Sequence, residues 1–202
     1  MYFVTKQGHE TTAFTMSGVL LMLAMHQDAQ EKVVLELQDS FDSVDQETEN
    51  EMLNKLPYLD MVIKETLRLL PVAPIIGREA TKDIKLKSCI IPAGTNIISN
   101  IFKVQRDPEF YGDDAHLFNP DRFLPENFSK IHPYAYLPFS KGPRNCIGMK
   151  YAISVIRIVL THILRNYKVT TNLKFEDLEY KVAITLRIKQ KCMIKLERRK
   201  FK

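Results

Sequence analysis

One ten-residue window, 139–148, constrains this chain more than any other stretch. It reads FSKGPRNCIG, which places Phe139, Gly142, Arg144, Cys146 and Gly148 in the spacing F-x-x-G-x-R-x-C-x-G. At average residue usage such a fivefold coincidence arises about once in a few million windows. A lone cysteine is ordinarily a buried, inert thiol. One framed by two glycines and an arginine at these distances needs another account, so Cys146 is the first candidate functional residue.

Composition excludes more than it suggests. The chain has 202 residues, 45% apolar and 26% charged, near the averages of globular domains and enough for one sizeable domain or two small ones. Of the net charge of +5, residues 189–202 supply +6, so the other 188 residues sum to −1. A nucleic-acid surface would spread basic residues over a face with aromatics between them, and no nucleic-acid partner is expected. Residues 189–202 read as a basic C-terminal tail, solvated or drawn to an anionic membrane surface. Cysteines at 89, 146 and 192 form neither a disulfide framework nor a zinc pattern, which suits a reducing compartment. The first twelve residues lack the grammar of a signal peptide. The longest apolar run, 13–25, is shorter than the ~20 residues a membrane span needs and contains Thr15, Ser17 and Gly18.

Periodicity predicts a mainly α chain with small β-sheets. Residues 3–25 have no proline and are apolar on most sides, as in a central buried helix. An amphipathic helix comes next over 28–41, with Val33, Val34 and Leu37 opposite Glu31, Glu36 and Gln38. Residues 42–51 form an acidic, polar connection. Pro57 opens a third helix and Pro71 stops it. Alternation at 84–87 and a turn at Pro92, Ala93 and Gly94 predict a small sheet. Residues 107–143 show no steady period, and a long stretch of that kind is usually functional. A helix over 146–166 succeeds it, then short strands near 167–169, 182–188 and 193–196.

Two further motifs stand in fixed order around the cysteine window. Glu65 and Arg68 lie at i,i+3 on one helical face, and Arg122 stands downstream in PDRF, 120–123. Alone, such a pair is an ordinary surface ion pair. GHETT, 8–12, sets an acid beside an alcohol within a helix, where the backbone ladder can be disturbed to leave a local groove. Alone, it is a helix turning polar residues to solvent.

In that order, these segments resemble the cytochrome P450 enzymes, and the match covers the C-terminal part of that fold, from the oxygen-side helix to the final hairpin. Within the family, GHETT, Gly77-Arg78-Glu79 and Pro138-Phe139-Ser140 are similar to the fourth family, abundant in insects. The resemblance implies a haem-thiolate monooxygenase in which Cys146 ligates iron. A cysteine at a helix start is stabilised as an anion by the first amides. Gly142 and Gly148 leave the backbone bare for a flat macrocycle. Arg144 pairs with a propionate, Arg78 with the second unless it is a surface ion pair, and Phe139 covers the sulfur. Glu10 takes part in proton delivery, and Thr11 hydrogen-bonds iron-bound oxygen. Glu65, Arg68 and Arg122 form a buried structural triad. Val72, Ile75 and Ile76 line a substrate pocket, closed by residues 183–186 with Ile184 among them.

The implied cofactor is haem b. It is held without an ester bond, because Gln7 stands where many fourth-family members carry a glutamate. Electrons come from NADPH through cytochrome P450 reductase, with cytochrome b5 as a further donor, and Lys141 and Lys150 could steer an acidic donor protein. The substrate is small and apolar: a fatty acid, a hormone-like lipid or a xenobiotic. The family's place is the cytosolic face of the endoplasmic reticulum membrane, held by an N-terminal anchor that this sequence lacks. Two alternatives stay open. One is a non-catalytic, truncated piece of such an enzyme, a single partial domain that binds haem poorly alone. The other is a haem-thiolate isomerase or dehydratase.

Overall fold

The computed structural model describes residues 2–182, 184–191 and 194–201, with side chains from residue 8 onward except residue 50. The expectations for the Gln7 amide and for Ala183 lie outside the described residues. Helices α1 (Tyr2–Met25), α2 (Gln27–Ser40), α3 (Asn50–Leu53) and α4 (Pro57–Leu69) come first. Strands β1 (Ile75–Glu79), β2 (Ile84–Lys85), β3 (Ile90–Ile91) and β4 (Asn96–Asn100) come after them. Short helices α5 (Ile101–Val104), α6 (Pro108–Tyr111) and α7 (Pro125–Phe128), with a 3₁₀ turn at Pro120–Phe123, precede α8 (Met149–Asn166). Strands β5 (Tyr167–Thr170), β6 (Tyr180–Val182), β7 (Leu186–Ile188) and β8 (Lys195–Arg198) complete the order. Among the described residues, no helix is long and apolar enough to cross a membrane.

The core is helical, and the sheets are ribbons around it. Val19 and Leu23 of α1, Val33 and Leu37 of α2, Leu59 and Ile63 of α4, and Ile156 and Leu160 of α8 form one cluster, all 1% exposed or less. Among the described residues, the strand pairs are antiparallel and two-stranded: β1 with β4, β2 with β3, β5 with β8, and β6 with β7. A second, smaller cluster of Met22, Leu69, Leu70 and Leu186 holds the β6–β7 hairpin against α1 and α4.

Three expectations shift. The all-round apolar character of the first helix holds only in its second half: Val19 and residues 21–24 are buried, whereas Gly8, His9 and Glu10 are exposed. The 42–51 connection ends in the single turn α3 and is tied down rather than loose. Buried Arg165 of α8 donates to the carbonyls of Ser43 at 3.1 Å and Gln46 at 2.9 Å and lies over the Phe41 ring. Finally, much of the basic stretch 189–202 is paired chain. Strand β8 pairs with β5, Arg199 N–H donates to Asn166 O at 2.8 Å, its guanidinium meets Glu31, and Phe201 is buried. The charges of Lys195 and Arg198 still face solvent, so backbone pairing and a solvated basic surface coexist.

Helix α4 carries Glu65 and Arg68, and its start is capped from outside. No side chain of its own N-cap residue, Leu56, serves. Instead the Glu36 carboxylate of α2 accepts from Tyr58 N–H at 2.6 Å and Leu59 N–H at 2.9 Å. Those are two of the amides a helix start leaves unpaired. Burial pushes the Glu36 carboxyl up, against the pull of the same two amides.

Candidate functional site

The cysteine window is a tight loop closed on itself. Cys146 N–H donates to Phe139 O at 2.9 Å, and Asn145 N–H donates to Gly142 O at 3.1 Å. Making that turn takes two left-handed residues, Ser140 at φ 60° and Gly142 at φ 83°, where glycine carries no steric cost. Phe139 anchors the near end by packing against the main core. The far end is uncovered: residues 141–147 are all exposed, Cys146 is a free thiol, and Ile147 is fully solvent-facing.

Cys146 does not stand in the first turn of the adjoining helix. α8 begins at Met149 with Gly148 as N-cap, so the cysteine lies two residues ahead of the cap. Its sulfur is nonetheless beside the helix start, since a Cβ placed on Gly148 would meet Cys146 Sγ at 4.0 Å. A Cβ at 148 would rest in ordinary van der Waals contact with the sulfur. A Cβ at Gly142 would enter open space, so that glycine is required by its φ, and the bare backbone is a consequence.

Do these residues fit a planar, dianionic macrocycle bound through iron? The loop offers one thiol on an open face, two residues without side chains beside it, and an exposed Arg144 with no ion-pair partner among the described residues. Arg78, on β1, is also exposed; its Nη1 donates at 2.8 Å to the carbonyl of its own neighbour, Gly77, and to no carboxylate among the described residues. The surface ion pair open for Arg78 at the level of sequence is therefore not made there. Two arginines without carboxylates suit two propionates, and the donor set fits.

Behind the loop, the triad residues meet. Arg68 Nε donates to Glu65 Oε2 at 2.6 Å and Arg68 Nη2 to Glu65 Oε1 at 2.7 Å, with both side chains 0% exposed. Arg122 Nε approaches Glu65 Oε1 at 3.5 Å as an ion pair without hydrogen-bond geometry. Its other nitrogens serve Tyr111 O at 2.7 Å and Asp114 O at 2.6 Å. Asn119 N–H gives Glu65 a further bond at 2.9 Å. Burial pushes the Glu65 carboxyl up; the bond and charge of Arg68, the Asn119 amide and Arg122 oppose it.

Asp114 also pairs with Arg122, at 2.6 Å, and the hydrogen bond from Arg122 holds its carboxyl below the usual range. A depressed folded value means that this contribution is complete above the ordinary carboxylate pKa. It fades as pH falls through the depressed value. Carbon-detected titration should place Asp114 below the ordinary ~3.9, and Arg122→Met should return it there. An unmoved Asp114 in that variant contradicts the pairing.

Sequence reasoning passes over the residue that joins this triad to the cysteine loop. Buried Gln105 donates to Leu67 O and Arg68 O at 3.0 Å each, accepts at its own carbonyl from Arg68 Nη1 at 2.8 Å, and accepts at its side chain from Leu137 N–H at 2.8 Å. Tyr136 adds a bond from its hydroxyl to Lys64 O at 3.1 Å. Gln105 lies just ahead of the aperiodic stretch and Tyr136 within it, and neither belongs to a motif there.

The remaining nominated residues are dispersed. Glu10 is exposed and bonds Arg187 Nη2 at 2.7 Å, while Thr11 is half-buried one residue on. Helix α1 runs unbroken from Tyr2 to Met25 through the segment where a groove is expected, and the Thr11 carbonyl accepts the Thr15 hydroxyl at 3.1 Å. Val72 is part of the main core rather than an open wall. Ile75 is 48% and Ile184 93% exposed, with Ile76 half-buried. The late hairpin does reach this segment, through Leu186 N–H to Val72 O at 2.9 Å. Lys141 and Lys150 border a cleft of about 930 Å³ between α4, α8 and the cysteine loop, with Leu67, Phe139, Met149 and Ile153 inside. Lys141 is partly engaged, donating to Pro133 O at 3.0 Å.

Comparison with known proteins gives a single family. The cytochrome P450 profile matches residues 4–195. Probable cytochrome P450 313a1 of Drosophila melanogaster is 44% identical over 95% of this chain and 39% of its own length. Probable cytochrome P450 4ac1 of the same fly is 39% identical over 96% of the chain and 38% of its own length. Cytochrome P450 4c21 of Blattella germanica is 42% identical over 88% of the chain and 35% of its own length. The chain spans under two fifths of these curated relatives, which are insect proteins.

Proposed function

The chain belongs to the cytochrome P450 family, and from that premise we propose that it carries the haem-binding part of a monooxygenase. The reaction inserts one oxygen atom of O₂ into a C–H bond of an apolar substrate: a fatty acid, a hormone-like lipid or a xenobiotic. Electrons arrive from NADPH through a reductase, with cytochrome b5 as a further donor, at the cytosolic face of the endoplasmic reticulum membrane. Haem b, when bound, supplies the oxygen activation and the oxidising power.

The observation that carries this reading is the Cys146 loop. A closed turn, anchored by Phe139 in the core, presents one thiol on an uncovered face beside two glycines. Cys146 would ligate iron, and Gly142 and Gly148 would keep side chains off the approaching ring. Arg144 and Arg78 would hold the propionates through charge-assisted bonds. The triad of Glu65, Arg68 and Arg122, tied by Gln105 to Leu137, keeps the loop's base rigid, so that the sulfur does not wander.

Thr11 would offer its hydroxyl as a hydrogen-bond partner on the oxygen side, and Glu10 would carry a proton in from solvent, consistent with its exposure. Ile75, Ile76 and Ile184 would line the substrate side. Val72 contributes its carbonyl, which holds the hairpin in place. Lys141 and Lys150 would face an acidic donor protein across the cleft behind the loop.

The test is spectroscopic. Haem-loaded protein should give the reduced carbon monoxide spectrum of a thiolate-ligated haem, and Cys146→Ser should abolish it. An identical spectrum from the variant sinks the proposal.

A further inference from the structure

The bond between Glu10 and Arg187 joins residues 177 positions apart. It runs from the exposed half of α1 to strand β7, with Arg187 Nη2 donating to Glu10 Oε1 at 2.7 Å. Both side chains are more than half exposed, so the pair adds little to stability. Its interest lies in what stands at each end.

Arg187 is next in the chain to Leu186, whose N–H is bonded to Val72 O at 2.9 Å and whose side chain is buried against Met22, Leu69 and Leu70. The same hairpin carries Ile184 at its turn, 93% exposed only two residues before that buried anchor. The ribbon is thus fixed at Leu186, beside its turn, with an apolar residue standing free two positions before that anchor and a guanidinium gripping the acid of α1 one position after it. A hydrogen bond of this length is lost beyond ~3.5 Å, so a displacement of about 1 Å in the ribbon is enough to release the carboxylate.

We propose that Arg187 is a positioning residue: it sets where the Glu10 carboxylate points and links that direction to the placement of the β6–β7 hairpin. This rests on the reading of Glu10 as a proton carrier. An apolar molecule packed on Ile184 would pivot the strand about the fixed Leu186, and Glu10 would be let go or held accordingly. The acid and the substrate side are then coupled by contact through one strand, without any rearrangement of the core.

The test is a double-mutant cycle with Arg187→Gln, Glu10→Gln and both together. Amide hydrogen exchange across β6 and β7 should quicken about two- to fivefold in either single variant and no further in the double. In haem-loaded protein with reductase and no added substrate, R187Q should change NADPH consumption about threefold, R187K should restore it, and R187Q in the E10Q background should change nothing. Additive exchange effects overturn the proposal, and so does an R187Q effect on NADPH consumption that survives in E10Q. The exchange arm needs no haem, so it fails or stands apart from the Cys146 reading, which the C146S spectrum decides.

Discussion

Replacing Arg68 by Met should cost roughly 3–5 kcal/mol of stability, the range for breaking a buried ion pair from one side. The physical reason is what the substitution leaves behind. Glu65 would keep a 0% exposed carboxylate with its two shortest bonds removed. The carbonyls of Gln105, Ala115 and Leu117 would lose the guanidinium that now serves them at 2.8, 2.6 and 3.0 Å. Arg122 cannot replace all of these bonds, because two of its nitrogens are engaged by Tyr111 and Asp114 and only Nε faces Glu65. Domains hold only ~5–15 kcal/mol in all, so the variant should unfold at much lower urea and fold best at low temperature. The double variant E65L/R68M removes both charges and should lose less than the sum of the single losses. A loss below ~1 kcal/mol for R68M alone would mean that solvent reaches this site, against its complete burial.

The triad is legible in sequence only through the family resemblance, which ties the Glu65–Arg68 pair to Arg122; its helical spacing alone reads as a surface ion pair. The cysteine loop is legible for a different reason: thiol, arginine and glycines all have chemical duties within one turn. What escapes is whatever depends on distant partners. Gln105 carries no charge and no periodic neighbours, yet it ties the end of α4 to Leu137. Arg187 reads as one basic residue in a β-strand, and only the hairpin's path across α1 brings it to Glu10. Periodicity starts the last helix at Cys146, three residues ahead of Met149. A helix boundary is decided by backbone bonds, and the carbonyl that takes the N-cap bond here is Gly148 O, from Ala152 N–H at 2.9 Å. Polar tails mislead in the same way. Charge marks residues 189–202 as solvated, while strand pairing with β5 uses only the backbone and leaves those charges outside.

The same principle predicts a large effect at Gln30, a residue with no catalytic signature. Its amide replaces a missing strand. Nε2 donates to Val169 O at 2.7 Å, and Val169 N–H donates back to Oε1 at 3.0 Å, so the side chain pairs with β5 as a neighbouring strand would. Nε2 also reaches Leu23 O at 2.9 Å, near the end of α1. Gln30 and Val169 are both 0% exposed, so water cannot substitute for either partner. Gln30→Leu keeps the volume but leaves the Val169 amide and the Leu23 carbonyl buried without this bond, at about 1–3 kcal/mol for each unsatisfied group. Gln27 still donates to both carbonyls, at 2.9 Å to Val169 and 3.3 Å to Leu23, which should hold the total to roughly 2–4 kcal/mol. Gln30→Glu should be worse, since it turns a donor into an oxygen facing two carbonyl oxygens. Hydrogen exchange locates the damage. The Val169 amide should lose protection before the α4 and α8 amides do, because the injury is local to the seam between α2 and β5. Uniform loss of protection across all helices would show instead that Gln30 acts through the core as a whole.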